Sequence, residues 1–486
     1  MGRRTLLVTV ALAIVSLVAV LVVAPVYAGG PGKWTKLSTT AQKTDAFDEP
    51  SAVRTADGKL HVIYRTHPGS TTYNIRWVTL SQAGKVLNSG NVLASNWGSI
   101  DTEAALVPDG SGGLRAVWIG GFDTDPSNFY SKGAVYTATS PDGETWTLQH
   151  VSMASHTVLN GDSDAGAELD GTPVAAFGLN ATTFFHEGTD ASAPAATPDG
   201  SITQASTIDN EGEALATDTD GSVWVAWWRW TDASTQGYFV EQILPSQGSP
   251  QKAPDSGNAT EDNSPRQRVA LAARAGGGIY MAYCSPTSTQ PCAHVELWKV
   301  GAASAKTVPG TKGGNARLVT LVSGPGGRLW VLWWDNAKSK IDAVRTSTTG
   351  GGFGPVRSVK PPSDWALFNR LSAEGSSGRV DVFANITSAA SGNPDEIWQT
   401  QILPGLKLTA KPAKFSHTSG VTIKFTVTDA GDPVTNATVS FLGKKGKTNA
   451  DGVIKLSYPK GEPTGKHTAT AKKSGYNAAK HTIKVT

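Results

Sequence analysis

Apolar residues recur at every second position in a series of short stretches, and the stretches themselves recur. The plainest is Asp220-Gly221-Ser222-Val223-Trp224-Val225-Ala226-Trp227, a tight turn followed by a run that sets Val223, Val225 and Trp227 on one face of a strand. The same pattern begins at Gly58, Gly113, Gly171, Gly278, Gly327 and Gly378, so the seven turn glycines are 49 to 58 residues apart. An aromatic residue closes each run at Tyr64, Trp118, Phe177, Trp227, Tyr283, Trp333 and Phe383. A shorter apolar stretch precedes most copies, such as 51–55, 104–108, 214–218, 269–273, 318–322 and 371–373. A second alternating run follows, at 73–80, 134–140, 182–186, 238–244, 294–300, 340–346 and 396–403. Strand triplets at a period of about fifty residues predict an all-β chain folded as a seven-bladed β-propeller.

The last triplet, 369–403, has no fourth strand of its own. The N-terminal Lys33-Trp34-Thr35-Lys36-Leu37 has the look of one, as does Thr145–Gln149. Pairing the N-terminal stretch with the last triplet would close the ring and remove two open sheet edges.

Composition divides the 486 residues further. Arg3 and Arg4 precede an apolar run from Leu6 to Val23, and Val26-Tyr27-Ala28 offers small residues at the cleavage positions. Residues 1–28 therefore read as a signal peptide, or as a membrane anchor if uncleaved, with the remainder exported. Cys284 and Cys292 flank one strand-to-strand loop, which makes a disulfide geometrically plausible in an oxidising compartment; two separate buried thiols are the alternative. Residues 29–403 are the propeller, with two charge signs separated along the chain. Residues 29–404 hold 27 basic against 36 acidic side chains, whereas 405–486 hold 14 Lys, no Arg and four acids, Asp429, Asp432, Asp451 and Glu462. The small overall charge of +3 hides an acidic propeller and a basic C-terminal domain, 404–486.

Two stretches carry family resemblances. Ser140-Pro-Asp142-Gly143-Glu-Thr-Trp146 resembles a shortened Asp-box, the hairpin turn of sialidases and related propellers, and Ser347–Phe353 repeats its spacing without the aspartate. The resemblance implies the fold; in that family the box lies opposite the ligand face. Activity in the family needs three arginines, the first in a Tyr/Phe-Arg-Ile-Pro motif, with an aspartate acid/base and a tyrosine nucleophile supported by a glutamate. The comparable stretch here is Phe47-Asp48-Glu49-Pro50, with Asp48 where the arginine would stand. In the C-terminal part, Gly431–Phe441, Thr448–Val453 and Gly475-Tyr476 resemble bacterial Ig-like and carboxypeptidase-regulatory-like β-sandwiches, which are accessory modules.

Candidate chemistry gathers where the first strands begin. The positions at or before them read Glu49, Glu103, Asp164, Glu213, Arg268, Arg317 and Arg370. Three converging arginine forks would suit an acidic sugar; the alternative is a wet channel lined by polar side chains. Loop residues Asp123, Tyr73, Phe122, Phe129, Tyr130 and Trp230 add charge and stacking faces, while Trp228 and Trp334 read as core, with a place among the stacking faces as the alternative. The pairs Asp123/Asp125, Asp162/Asp164 and Asp218/Asp220 have oxygen ligands suited to calcium, or are plain turns. No nucleic-acid module and no phosphate loop is evident. Two functions follow: a non-catalytic extracellular propeller binding a glycan or protein ligand, its basic domain meeting cell-envelope polymers by charge, or a sialidase-like glycoside hydrolase.

Overall fold

The computed structural model describes residues 31–39, 42, 44, 48–69, 72–92, 99–100, 104–121, 134–150, 163–179, 182–187, 200–203, 210–229, 237–256, 269–285, 292–313, 315–362, 365–388 and 395–486. The leader expected at 1–28 lies outside them. Among the described residues no helix is long and apolar enough to cross a membrane.

The described residues between 31 and 402 form seven antiparallel sheets in chain order. The first runs Ser51–Arg54, Leu60–Gly69, Thr72–Leu80 and Val86–Asn91, and the later sheets follow the same antiparallel pattern, the second with an extra short strand, Ser99–Ile100, paired to Leu114–Gly121. The innermost strands of the remaining six are Ala105–Pro108, Ser163–Ala167, Asn210–Thr217, Ala270–Ala273, Ala316–Ser323 and Trp365–Glu374. Each innermost strand touches the next, and the seventh touches the first, so the sheets form a closed ring around an axis. This ring is what makes the chain a β-propeller. Thr35–Lys36 completes the seventh sheet, Thr35 opposite Gln399 and Lys36 opposite Trp398.

The turn glycines explain why the repeat begins where it does. Gly221 has φ 89° and Gly378 φ 91°, left-handed values that a side chain at Cβ resists. The strand that follows is buried on both faces, as Leu329–Asp335 is at every position. A sheet in the ring packs against a neighbour on either side, so one-faced alternation gives way to full burial. Apolar clusters bridge the first and second sheets, the third and fourth, the fourth to sixth, the sixth and seventh, and the seventh and first. Trp118, Trp227, Trp330 and Trp333 are among the largest fully buried side chains, each contributing about 2–3 kcal/mol of burial. Cys284 and Cys292 are joined, their Cα atoms 5.2 Å apart.

Residues 405–486 form two further sheets around a separate core that includes Ile423, Phe425, Val439, Phe441 and Ile483. One contains Lys407–Lys411, Val421–Asp429, Asp432–Pro433 and Val453–Tyr458; the other contains Lys414–Phe415, Thr438–Phe441, Lys444–Lys447, Gly465–Lys472 and Ala479–Val485. Here alternation is kept, since each sheet buries one face only, as along Val421–Asp429.

This domain docks on the sixth sheet through its 429–432 turn. Asp429, 1% exposed, pairs with Arg345, and Arg328 Nη1 lies 3.4 Å from the same carboxylate. Arg328 Nη2 is 2.6 Å from Asp432. The Arg345 guanidinium sits 5.4 Å from the Trp330 ring and 5.4 Å from the Tyr476 ring. Asp432 also accepts hydrogen bonds from Thr348 N at 2.8 Å and Thr348 Oγ1 at 3.3 Å. The turn 347–353, which has no aspartate of its own, thus receives one from the C-terminal domain.

Candidate functional site

On the ring axis, inner strands of the first, second, third and seventh sheets surround a cavity of about 120 Å³. Its wall is Glu49, Ser51 and Asp164 with Ser372 and small residues including Ala52, Ala104, Ala105 and Ala373. Strands that converge on an axis leave room only for small side chains, so the few polar groups there stand out. Several of them link neighbouring sheets. Ser51 Oγ accepts from Leu106 N at 3.0 Å, Thr320 Oγ1 donates to Leu371 O at 2.8 Å, and Ser372 Oγ donates to Pro50 O.

Asp164 is, with Glu49, one of the two acids of this wall. Its carboxylate accepts from Ala165 N at 2.8 Å and, across to the fourth sheet, from Leu215 N at 2.7 Å. Burial pushes its pKa up to about 7, and the nearby Glu49 charge adds to the rise; the two backbone donors oppose it. The carboxyl therefore changes protonation near neutral pH while facing the axial cavity.

Three of the predicted positions share a backbone irregularity. The inner strands of the fourth, sixth and seventh sheets each carry a register shift, between Glu211 and Ala214, Arg317 and Thr320, and Phe368 and Arg370. Glu213 lies within the first shift, and Arg317 and Arg370 border the others. Bulges of this kind re-aim side chains near the ends of strands. At the sixth sheet the shift includes Leu318 at φ 53°, a left-handed value unusual for a branched side chain. Arg317 is half-buried, its Nε without a hydrogen-bond partner among the described residues. Arg370 is 2% exposed, and its Nη1 donates to Asn369 O at 3.3 Å. Glu103, Asp123, Arg268 and Trp230 lie outside the described residues, so the arginine trio is seen only in part. Trp228 and Trp334 are buried, as core positions.

A polar cluster not foreseen as such lies at the seam of the first and seventh sheets. Asp48 is fully buried and paired with Arg65. Asn385 Nδ2 donates to Asp48 O at 2.9 Å, and Asn369 Nδ2 reaches Thr387 Oγ1 at 2.8 Å. The Arg65 guanidinium lies 5.0 Å from the Tyr73 ring, which stacks on His67 at 4.4 Å. In the sequence, Asp48 at the position of the family's first arginine and Arg65 directly after the core aromatic Tyr64 were the available signals.

Other predicted features are engaged in turns. Asp142 Oδ1 accepts from Glu144 N at 2.8 Å and Thr145 N at 2.7 Å, and Gly143 N donates to Ser140 Oγ at 2.8 Å. The bonds to Asp142, those from backbone N–H groups foremost, hold its pKa down at about 2. Asp218 accepts from Gly278 N at 2.9 Å in the next sheet's turn, and Asp220 from Ser222 N at 2.9 Å. Among the described residues no three His, Cys, Asp or Glu side chains gather as a metal-ligand set.

No family model matches the chain, and no curated protein does. Among solved structures it is similar to a polysaccharide lyase (Uly1), at 9% identity and TM-score 0.44 over 78% of this chain and 94% of the other. It is similar to an α-L-arabinanase of Penicillium chrysogenum complexed with arabinobiose, at 13% identity and TM-score 0.41 over 75% and 98%. A third is the β-propeller domain of a trilobed protease from Pyrococcus furiosus, at 7% identity and TM-score 0.40 over 72% and 95%. The ring of inner strands, rather than these distant likenesses, defines the fold.

Proposed function

We propose that the protein is an exported, non-catalytic binding protein: a seven-bladed propeller whose axial mouth takes a glycan or protein ligand, carrying a basic Ig-like module that meets the cell surface. The observation that carries this reading is the buried Asp48–Arg65 pair. Where the sialidase pattern has its first substrate-binding arginine, this chain has a carboxylate, and that carboxylate is already neutralised by an arginine from the adjacent strand. The Asp-box-like turn at Ser140–Trp146 belongs with this reading as a structural turn.

One observation favours the alternative, a sialidase-like glycoside hydrolase. Asp164 has its pKa raised to about 7 and faces the cavity it shares with Glu49, an environment suited to a general acid.

A glycan-array screen on the full chain, with hydrolysis of fluorogenic glycosides followed in parallel, separates the two. Saturable binding without turnover, weakened at least tenfold in Arg317→Ala, is the expected result. Turnover abolished in Asp164→Asn would establish the hydrolase instead, and silence in both assays would point to a protein ligand.

A further inference from the structure

The C-terminal domain sets like charges side by side. On its second sheet Lys466 stands directly opposite Lys484, and Lys414 pairs with Lys484 from the other side, giving three lysines abreast. Lys472 and Lys447 flank Thr438 in the same manner, and Lys480 and Lys445 continue the outward face through Thr470 and Ser440. The first sheet repeats the device, with Lys411, Lys424 and Lys455 in one row. Like charges directly opposite each other cost stability unless something of opposite sign lies on them.

Docking sharpens the asymmetry. Of the four acids in 405–486, Asp429 and Asp432 are engaged by Arg345, Arg328 and Thr348 of the propeller. Two acids then remain against fourteen lysines, and no ion pair to those lysines occurs among the described residues.

We infer that the outward face of the sheet carrying Lys414, Lys484 and Lys466 is a docking surface for a linear phosphodiester polymer of the polyol-phosphate kind. The inference rests on the reading of this domain as a surface-docking module and is independent of what the propeller binds. Three features select that chemistry. The cations are all Lys, compact point charges that meet the phosphates of a repeating polymer without the fixed bidentate geometry an Arg fork imposes. The outward positions between them are Thr and Ser, with no aromatic face on which bases or sugar rings would stack. No large apolar side chain of this domain is exposed, so the face has nothing to insert into a bilayer. With strands about 4.8 Å apart, one row presents three charges over about 10 Å, within reach of successive phosphates.

The test measures binding of the full chain to synthetic poly(glycerol phosphate) over a salt series. Vesicles containing phosphatidylglycerol, polygalacturonate and duplex DNA serve as the other arms. Lys414→Gln/Lys466→Gln/Lys484→Gln is expected to weaken polymer binding at least tenfold and to flatten the log K against log salt slope by about 2. Its Tm should be unchanged or higher, and the Lys→Arg triple should retain binding. Lys85→Gln/Lys299→Gln/Lys312→Gln, the same charge change on the propeller, should alter it less than twofold. Equal losses in both Gln triples would reduce the effect to net charge and overturn the inference. Tighter binding to vesicles, polygalacturonate or DNA, or no binding to the polymer, would overturn it too. Glycan-array results on the propeller are unaffected by either outcome.

Discussion

Replacing Asp429 by asparagine tests whether the two domains act as one body. The native carboxylate is 1% exposed and lies between Arg345, whose side chain is 4% exposed, and Arg328, at 12%. Removing one member of a buried pair costs about 3–5 kcal/mol, because the remaining charge is left in a low-dielectric site. Arg345 keeps its bond to Gly378 O at 2.5 Å and its contacts with the Trp330 and Tyr476 rings, and Arg328 keeps Asp432. These survivors put the expected cost at the lower end, about 3 kcal/mol, or roughly 150-fold in the ratio of docked to undocked molecules. Calorimetry should show the wild-type unfolding profile separating into two transitions, one per domain. Hydrogen exchange at the Thr348 amide, which Asp432 protects at 2.8 Å, should accelerate by a similar factor. Asp429→Leu combined with Arg345→Met should recover much of the loss, since an apolar pair needs no counter-charge. An Asp429→Asn variant with an unchanged profile and an unchanged Thr348 amide would show that this carboxylate does not hold the domains together.

Further outcomes follow from other sites. Gly143→Ala should cost about 2–4 kcal/mol, because Gly143 has φ 74° and a Cβ would stand 2.0 Å from Nδ1 of His61, a buried ring of the preceding sheet; thermal melts check it. Asp164 has a native pKa of about 7 against an ordinary 3.8, so the native state binds the proton more tightly. Its stability contribution is present at pH values below about 4 and lost as pH rises through about 7. Asp164→Asn should flatten that part of the denaturant-midpoint profile, and an unaltered profile would exclude the assignment. Reducing Cys284–Cys292 reopens a short loop of 8-residue separation and should lower stability by about 2–3 kcal/mol by the loop-entropy argument, read from melts with and without reductant.

The strands that pack on both sides were legible because burial leaves an apolar record. Val223–Arg229 and Leu329–Asp335 could be placed from their side chains alone. The edge strands left little record: Gln251–Lys252 and Lys306–Thr307 are two polar residues each, held by pairing to a neighbour. The third inner strand, Ser163–Ala167, contains only small and polar residues, because the axis has no room for larger ones. At the site, residue type pointed to the inner-strand starts but not to the bulges, since a left-handed Leu318 is fixed by tertiary packing rather than by local preference. The partner of Arg345 is 84 positions away, a separation no local pattern spans.

The clasp between Thr35–Lys36 and the seventh sheet also has a mechanical meaning. The strands are antiparallel, so the N-terminal end of one lies beside the C-terminal end of the other, with Gly32 N bonded to Gln401 O at 3.0 Å and Leu37 N to Ile397 O at 2.8 Å. Tension drawn between residue 31 and residue 403 would therefore peel this ladder bond by bond, the low-force geometry, instead of shearing it at once. Load entering through the C-terminal domain meets a second route, since Asp429 and Asp432 fasten that domain to the sixth sheet. The dock shares the pull with the ring and so takes load off the clasp.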